Sequence, residues 1–456
     1  MIEAIPRIEN KKRIYMFAMN DILNDPRVQR EAKVATDDGF SVTVFGLQSP
    51  RTNKKEVRDD YIIVRIKAYL PGYQLIRAIY RKVLWIGTCK KERATPRGVS
   101  EKNRIKNFLE EIARLICIIF SNLAFIREGV KQKPAICHCN DLDSLLAGVL
   151  IKKRTGAKLI YDSHELWTEQ DPLRTKLWKF IFRNLERHLI KRADQVITVN
   201  QSICSELENR YSIRGAKPIF NCPFYERIGK KKNGELKRLA GERKIILFQG
   251  RYDYFRGLEE VIKSAKYIKN SIIVFRGYGI AENYLRTLAR EVGVKDKVYF
   301  VEPVKLDKLI EAASEADIGI IPYLPVCLNN RYSLPNKLFE YMMAGLAILA
   351  SDLPELRKII SITKIGELFN PYKPKDIATK INLLTEDEEK LSTMKANSLK
   401  NSEERYNWEI EGAKLIKIYQ ASLSLPEKIA PLPPSSPPWG EGKKALQSSP
   451  YKRGRR

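Results

Sequence analysis

The chain has 456 residues, and its 82 Lys and Arg against 54 Asp and Glu give a net charge of +28. The length exceeds what one ordinary core fills, so two domains are expected, and 44% hydrophobic with 30% charged residues excludes a wholly disordered chain. The positive field suits polyanions or an anionic membrane surface, but the basic residues are spread along the chain without an RNP motif or zinc finger, so nucleic acid is not the expected partner.

The first thirteen residues are charged and lack the apolar stretch of a secretory signal, which points to a cytoplasmic protein. From 14 to 227, β-rich runs alternate with helical patterns, the signature of a parallel sheet between helices. Strands are predicted at 14–18, 41–45, 62–66, 135–138, 158–161 and 195–199. A helix is predicted over 142–153, with Leu142, Leu145, Leu146, Val149 and Leu150 on one face. The apolar segment 112–126 contains Arg114 and Asn122 and falls short of the roughly 20 apolar residues that a membrane span needs. It is expected to be a core helix of the first domain, with an interfacial helix beside basic residues and Trp85 as the alternative. Cys137, His138 and Cys139 sit at successive strand positions that face opposite ways, and no second pair completes a tetrahedral set. Semi-buried thiols are expected there, and the seven cysteines in all, without framework spacing, fit a reduced compartment.

Residues 1–227 therefore read as one domain, and the Lys-, Gly- and Asn-rich stretch 228–241 as a linker. The alternation restarts over 242–402, with strands at 245–248, 272–275, 298–301, 318–321 and 348–351. A helix at 258–268 carries an apolar stripe of Leu258, Val261, Ile262, Ala265 and Ile268. Two Rossmann-like α/β domains facing a cleft follow, with ligands at the carboxyl ends of the strands. A long helix is predicted over 403–425 with Trp408, Ala413, Ile416 and Tyr419 facing inward. The Pro- and Ser-rich basic segment 426–456 is expected to be a disordered tail.

Two segments carry chemistry. Between Phe248 and Leu258, Gly250 and Gly257 allow close backbone approach while Arg251 and Arg256 place two permanent cations on one anion, which a diphosphate would satisfy. From Ser333 to Gly345, Pro335 starts a helix and Gly345 ends it. The amides of Leu334 and Asn336 with Lys337 form an anion site at its amino end, and Glu340, one turn on, suits two vicinal ribose hydroxyls.

These motifs run in one order: Gly250-Arg251, Arg256-Gly257, Arg276-Gly277-Tyr278-Gly279, Ala316-Asp317-Ile318-Gly319, Leu334 through Met342 with Ala344-Gly345, then Ser351 through Glu355. That order resembles the donor domain of family-4 retaining glycosyltransferases of the GT-B fold, of the bacterial envelope polysaccharide type. The first half is similar through Asn20-Asp21, Asp25 through Val28, His138 through Asp141 and Tyr161 through Trp167, so the resemblance covers about residues 13 to 424.

The resemblance implies transfer of a sugar from a UDP- or GDP-sugar to a hydroxyl of a lipid-linked or saccharide acceptor, with retention at the anomeric carbon. It makes Arg251 and Arg256 the cations on the donor diphosphate and its leaving group, Glu340 the ribose acid, and His164 the contact to the transferred sugar. The 403–425 helix would cross back to the first domain. Two positions depart from the pattern. Tyr332 stands where the first acid of a pair is usual, leaving Asn329, Asn330 or amides near Ser333 to substitute. In the first half the usual glycine-rich loop is replaced by 20–27, where Asn20, Arg27 and also Glu165 are candidates for the acceptor or diphosphate side. No metal or other cofactor is expected, since no Asp-x-Asp motif lies near the donor residues. A second enzyme class on the same fold is a sugar-nucleotide epimerase or a phosphorylase; the epimerase would need extra carboxylates near His164, for which Asp162, Glu165 and Glu169 are the candidates. A basic nucleic-acid or membrane-associated scaffold without catalysis is the remaining alternative, and an active enzyme peripheral on the inner face of the plasma membrane fits the charge.

Overall fold

A computed structural model describes residues 12–67, 101–170, 175–229 and 234–424, with side chains in the helix that starts at Glu101 described from 111. Trp85, the 426–456 tail and part of the 228–241 linker lie outside the described residues.

Among the described residues the first half forms an eight-stranded sheet. In chain order its strands are β1 (Arg13–Phe17), β2 (Ser41–Leu47), β3 (Lys55–Arg58), β4 (Tyr61–Ile66), β5 (Ile136–Asn140), β6 (Lys158–Ser163), β7 (Gln195–Thr198) and β8 (Lys217–Pro218). They are arranged β3-β4-β2-β1-β5-β6-β7-β8, and all pairs are parallel except β3 with β4. The central strands β1 and β5 are buried apart from Arg13 at the start of β1, as strands covered on both faces by helices must be. All six strands read from the sequence are present. The hairpin strand β3 and the two-residue β8 were not predicted, being too polar or too short for a periodicity signal.

The second half is a parallel six-stranded sheet of β9 (Lys244–Gln249), β10 (Ser271–Arg276), β11 (Val298–Val301), β12 (Ile318–Ile321), β13 (Ala347–Ser351) and β14 (Gly366–Phe369), ordered β11-β10-β9-β12-β13-β14. The unpredicted β14 is an edge strand of half-exposed side chains. Order inversions at β1/β5 and at β9/β12 put the crevices of both sheets at their carboxyl ends.

Two helical expectations change. The 112–126 segment lies within a helix running Glu101–Lys131, with Ile118 and Phe125 in the core while Ile112, Ile119, Phe120 and Leu123 are exposed. One face is therefore core and the other apolar and outward. The 403–425 helix is divided: one helix ends at Glu404, and a second spans Trp408–Ser424. Asn407 caps the second through its Oδ1, which accepts from the Ile410 amide at 3.1 Å, the local hydrogen bonding that favours Asn at a helix start. Ala413 faces solvent, whereas Trp408, Ile416 and Tyr419 are buried. The helix returns to the first half, where Trp408, Leu415, Ile416, Ile418 and Tyr419 share a core with Ile14, Val28, Ala32 and Val44.

Candidate functional site

A cavity of about 500 Å³ opens between the halves. It is lined from the first half by segments following β1, β6 and β7, and from the second by the loop after β9, by Tyr323 after β12, and by the start of the helix Asn336–Met343. Among the residues read from the sequence, Gly250, Arg251, Arg256, His164, Glu165, Ser333, Leu334, Asn336, Lys337, Glu340 and Arg27 all line it; Asn20 does not. The Asn20 side chain is exposed and ties its own loop together, donating to Asp25 Oδ2 at 2.7 Å and accepting from the Ile22 amide at 2.8 Å.

On the second half, three cations converge. Arg251 is two-thirds exposed and pairs loosely with Asp253 at 3.3 Å. The Arg256 guanidinium lies 4.4 Å from the Tyr323 ring centroid, and Lys337 Nζ lies 5.3 Å from the same ring and 3.8 Å from that of Phe248. Aromatic faces thus hold positive charge where an anion would. Lys337 is buried; that burial, and then Arg256, push its ammonium down to about 7, against the pull of Glu340.

Backbone geometry makes room for this group. Gly250 has φ 140°, and a Cβ there would stand 3.2 Å from Lys337 Nζ. Gly257 has φ 71° at the N-cap of the helix Leu258–Ser264, and a Cβ there would strike the Pro322 carbonyl oxygen at 1.9 Å. Both positions need glycine. Asn336 and Lys337 open their helix, where amides have no intrahelical acceptor, so its positive end faces the cavity. Ser333 contributes less than expected, because its hydroxyl donates to the Asn330 carbonyl at 2.9 Å. Burial raises the Glu340 carboxyl above its ordinary range while Lys337 and Arg30 pull it down.

On the first half, β5 and β6 end at Asn140 and Ser163, which delivers Asp141 and His164 to the cleft edge. His164 Nε2 lies 3.1 Å from Asn140 Oδ1 and 3.3 Å from Asp162 Oδ2, and Nδ1 lies 3.6 Å from Asp141 Oδ2. Burial opposes its charge, but Asp141 and Asp162 together outweigh it and push the imidazole up to about 10. With both ring nitrogens facing carboxylates, His164 presents a positive charge to the cavity and no free base. Asp141 adopts φ 64° while its Oδ1 accepts from the His164 amide at 3.0 Å. A non-glycine residue with positive φ beside a cleft is strain held in place by such contacts.

Arg27 corrects its expected role as an anion contact. It is 1% exposed, its Nε and second terminal nitrogen grip both Asp162 oxygens at 2.7 and 2.9 Å, and its first donates to the Ile219 carbonyl at 2.9 Å. Arg27 thus fixes Asp162, which fixes His164. Behind it, ligand atoms of Glu31, His138 and Asp162 lie within 4.8 Å of one another. Arg27 Nε stands 3.0 Å from Glu31 and 2.7 Å from Asp162, so the guanidinium occupies the place a cation would take. Cys137 and Cys139 are fully buried rather than semi-buried, and burial pushes the Cys139 thiol up to about 12, away from the thiolate a metal needs. Of the acids named for an epimerase, Glu169 is engaged by Arg183, Arg210 and Lys179, and Asp162 is locked by Arg27.

Sequence reasoning missed Asn140, Asp141, Arg30 and Tyr323 as site residues. The first two were accessible through the rule that cleft residues follow strand ends. Arg30 and Tyr323 were not, because their roles come from partners distant in the chain.

The family pattern described as Glycosyltransferase Family 4 matches residues 27–219, and that described as Glycosyl transferases group 1 matches residues 230–401. An uncharacterized glycosyltransferase of Methanocaldococcus jannaschii is 26% identical over 245 residues, 51% of this chain and 61% of the relative, so the chain spans about three fifths of that protein's length. The fold is similar to that of sucrose-phosphate synthase from Thermosynechococcus elongatus, with TM-score 0.69 and 16% identity over 90% of this chain and 99% of the other. It is also similar to Anabaena HepE in complex with UDP-glucose, with TM-score 0.63 and 13% identity over 90% and 100%.

Proposed function

We propose that the chain, whose halves match the Glycosyltransferase Family 4 and Glycosyl transferases group 1 patterns on a GT-B fold, is a glycosyltransferase that moves a sugar from a UDP- or GDP-sugar to a hydroxyl acceptor with retention. The observation that carries the donor reading is the cluster of Arg251, Arg256 and Lys337 around the cavity, with the Lys337 ammonium pushed down to about 7 by burial first and then by Arg256. A diphosphate between them relieves their mutual repulsion and recharges Lys337. As the bond from the anomeric carbon to the diphosphate breaks, negative charge grows on the departing phosphate, and these cations with the helix amino end stabilise it. Glu340 takes the ribose hydroxyls. Arginines and helix dipole supply the charge, so no divalent cation is required.

The acceptor in this reading is a lipid-linked saccharide of envelope polysaccharide assembly, met at the inner face of an anionic membrane. Among the described residues no helix is long and apolar enough to cross a membrane. Leu177, Phe180 and Ile181 are exposed on the helix Lys176–Leu189, with basic Lys176 and Arg187 beside them. The Glu101–Lys131 helix, which exposes Ile119, Phe120 and Leu123, is tied to it at Thr175, whose amide donates to Oε1 of the buried Glu111 at 3.0 Å. Apolar and basic side chains so placed suit a lipid surface.

The test is thermal shift and calorimetry with UDP, GDP and their sugars, followed by donor hydrolysis in EDTA. A ligand at about 100 times its Kd raises apparent stability by about 2.7 kcal/mol. Arg256→Ala is expected to weaken binding about tenfold or more, the worth of a charge-assisted contact, and EDTA to leave turnover unchanged. Failure of every nucleotide to shift the wild-type transition would sink the reading.

A further inference from the structure

Resting on that donor reading, we propose that Glu165, from the first half, is the carboxylate that binds the hydroxyls of the transferred sugar. Tyr332 occupies the sequence position where an acid is usual, and its ring packs against the core of the first half. Its carbonyl is also engaged, accepting from Asn200 Nδ2 at 2.8 Å. The asparagines beside it are committed as well. Asn329 is buried, its Oδ1 accepting from the Leu166 amide at 3.0 Å and its Nδ2 donating to Glu165 Oε2 at 2.7 Å. Asn330 Nδ2 donates to the Leu324 carbonyl at 3.1 Å.

Glu165 remains. It lines the cavity, and its side chain is exposed to it. One oxygen is fixed by a buried amide from the opposite half, while the hydrogen bonds of the described residues leave Oε1 to the cavity. Glu165 shares the cavity with His164 and Arg256; burial raises its carboxyl, while Arg256, the Asn329 hydrogen bond and His164 pull it down. A second phosphate there would be repelled, whereas sugar hydroxyls donate to a carboxylate and satisfy it. Asn329 belongs to the segment Leu328–Arg331, only a few residues before Asn336 and Lys337. Glu165, Asn329 and Lys337 line the same cavity, so a sugar attached to a diphosphate at Lys337 extends into the space that Glu165 borders.

The experiment compares UDP and GDP with UDP-glucose, UDP-N-acetylglucosamine and GDP-mannose on wild type, Glu165→Ala and Glu165→Gln by calorimetry. The free nucleotide should bind both variants within about twofold of wild type, while the preferred nucleotide sugar weakens about tenfold or more on Glu165→Ala. Glu165→Gln should lose part of that discrimination. Equal weakening of nucleotide and nucleotide sugar, or no weakening of either, overturns the proposal, as does a wild type that binds a nucleotide but gains nothing from any attached sugar. A wild type that binds no nucleotide defeats the donor reading itself and this inference with it.

Discussion

Lys337 shows how a single side chain trades stability for binding. Its ammonium is buried against Phe248 and Tyr323 and sits near neutrality at about 7, below its ordinary value. Between that value and the ordinary one near 10.4, the unfolded chain holds a proton that the folded chain does not, so stability rises with pH across this window. Lys337→Met keeps the apolar stem and discards the charge. It should raise Tm at pH 7 by about 2 °C or more in calorimetry while weakening nucleotide binding. A variant no more stable than wild type would refute the argument. Wild-type nucleotide affinity should also fall as pH rises above 7, because binding an anion then requires proton uptake. His164 behaves oppositely: the stability it gains from Asp141 and Asp162 is fully present below about 6.5 and is lost progressively as pH rises from there toward about 10.

At the scale of elements, the helix Trp408–Ser424 does more than close a core. Trp408 is fully buried, its Nε1 donates to the Arg30 carbonyl at 3.1 Å, and the Arg30 guanidinium lies 5.4 Å over its ring. Arg30 in turn bonds Asn221 and pulls on Glu340, and Asn221 Nδ2 donates to Asn336 Oδ1 at 2.8 Å. The last helix therefore supports the ribose end of the site from behind. Trp408→Ala should cost about 3–5 kcal/mol of stability, as large core truncations do, and should also weaken nucleotide binding at temperatures where the variant stays folded. Unfolding curves and calorimetry on one sample separate the two effects, and loss of stability with full affinity would break the link. The apolar periodicity of this helix was legible in the sequence, including its inward Trp408, Ile416 and Tyr419. Its true start was not, because Asn407 as a cap is visible only once the turn before it is formed.

For the whole molecule, net charge and exposed apolar side chains act together. Vesicles containing anionic lipid should bind the protein and release it as salt rises. Leu177→Glu with Phe180→Glu should weaken that binding in a flotation assay and leave nucleotide affinity intact; unchanged flotation would remove the membrane face from the proposal. The amino-acid order alone determined the doubly wound α/β class, the strands read at 245–248 and 158–161 and found at 244–249 and 158–163, and the Gly-Arg and Arg-Gly pair, because periodicity and glycine placement are local properties. Only the tertiary structure decided what each charge does. Arg27, legible as a free cation near a loop, is spent on Asp162; His164 is flanked by two carboxylates; and Glu165 meets Asn329 across the cleft, 164 residues away in the chain. A side chain's charge is written in its residue type, but whether that charge is available depends on partners that only folding brings within a few ångströms.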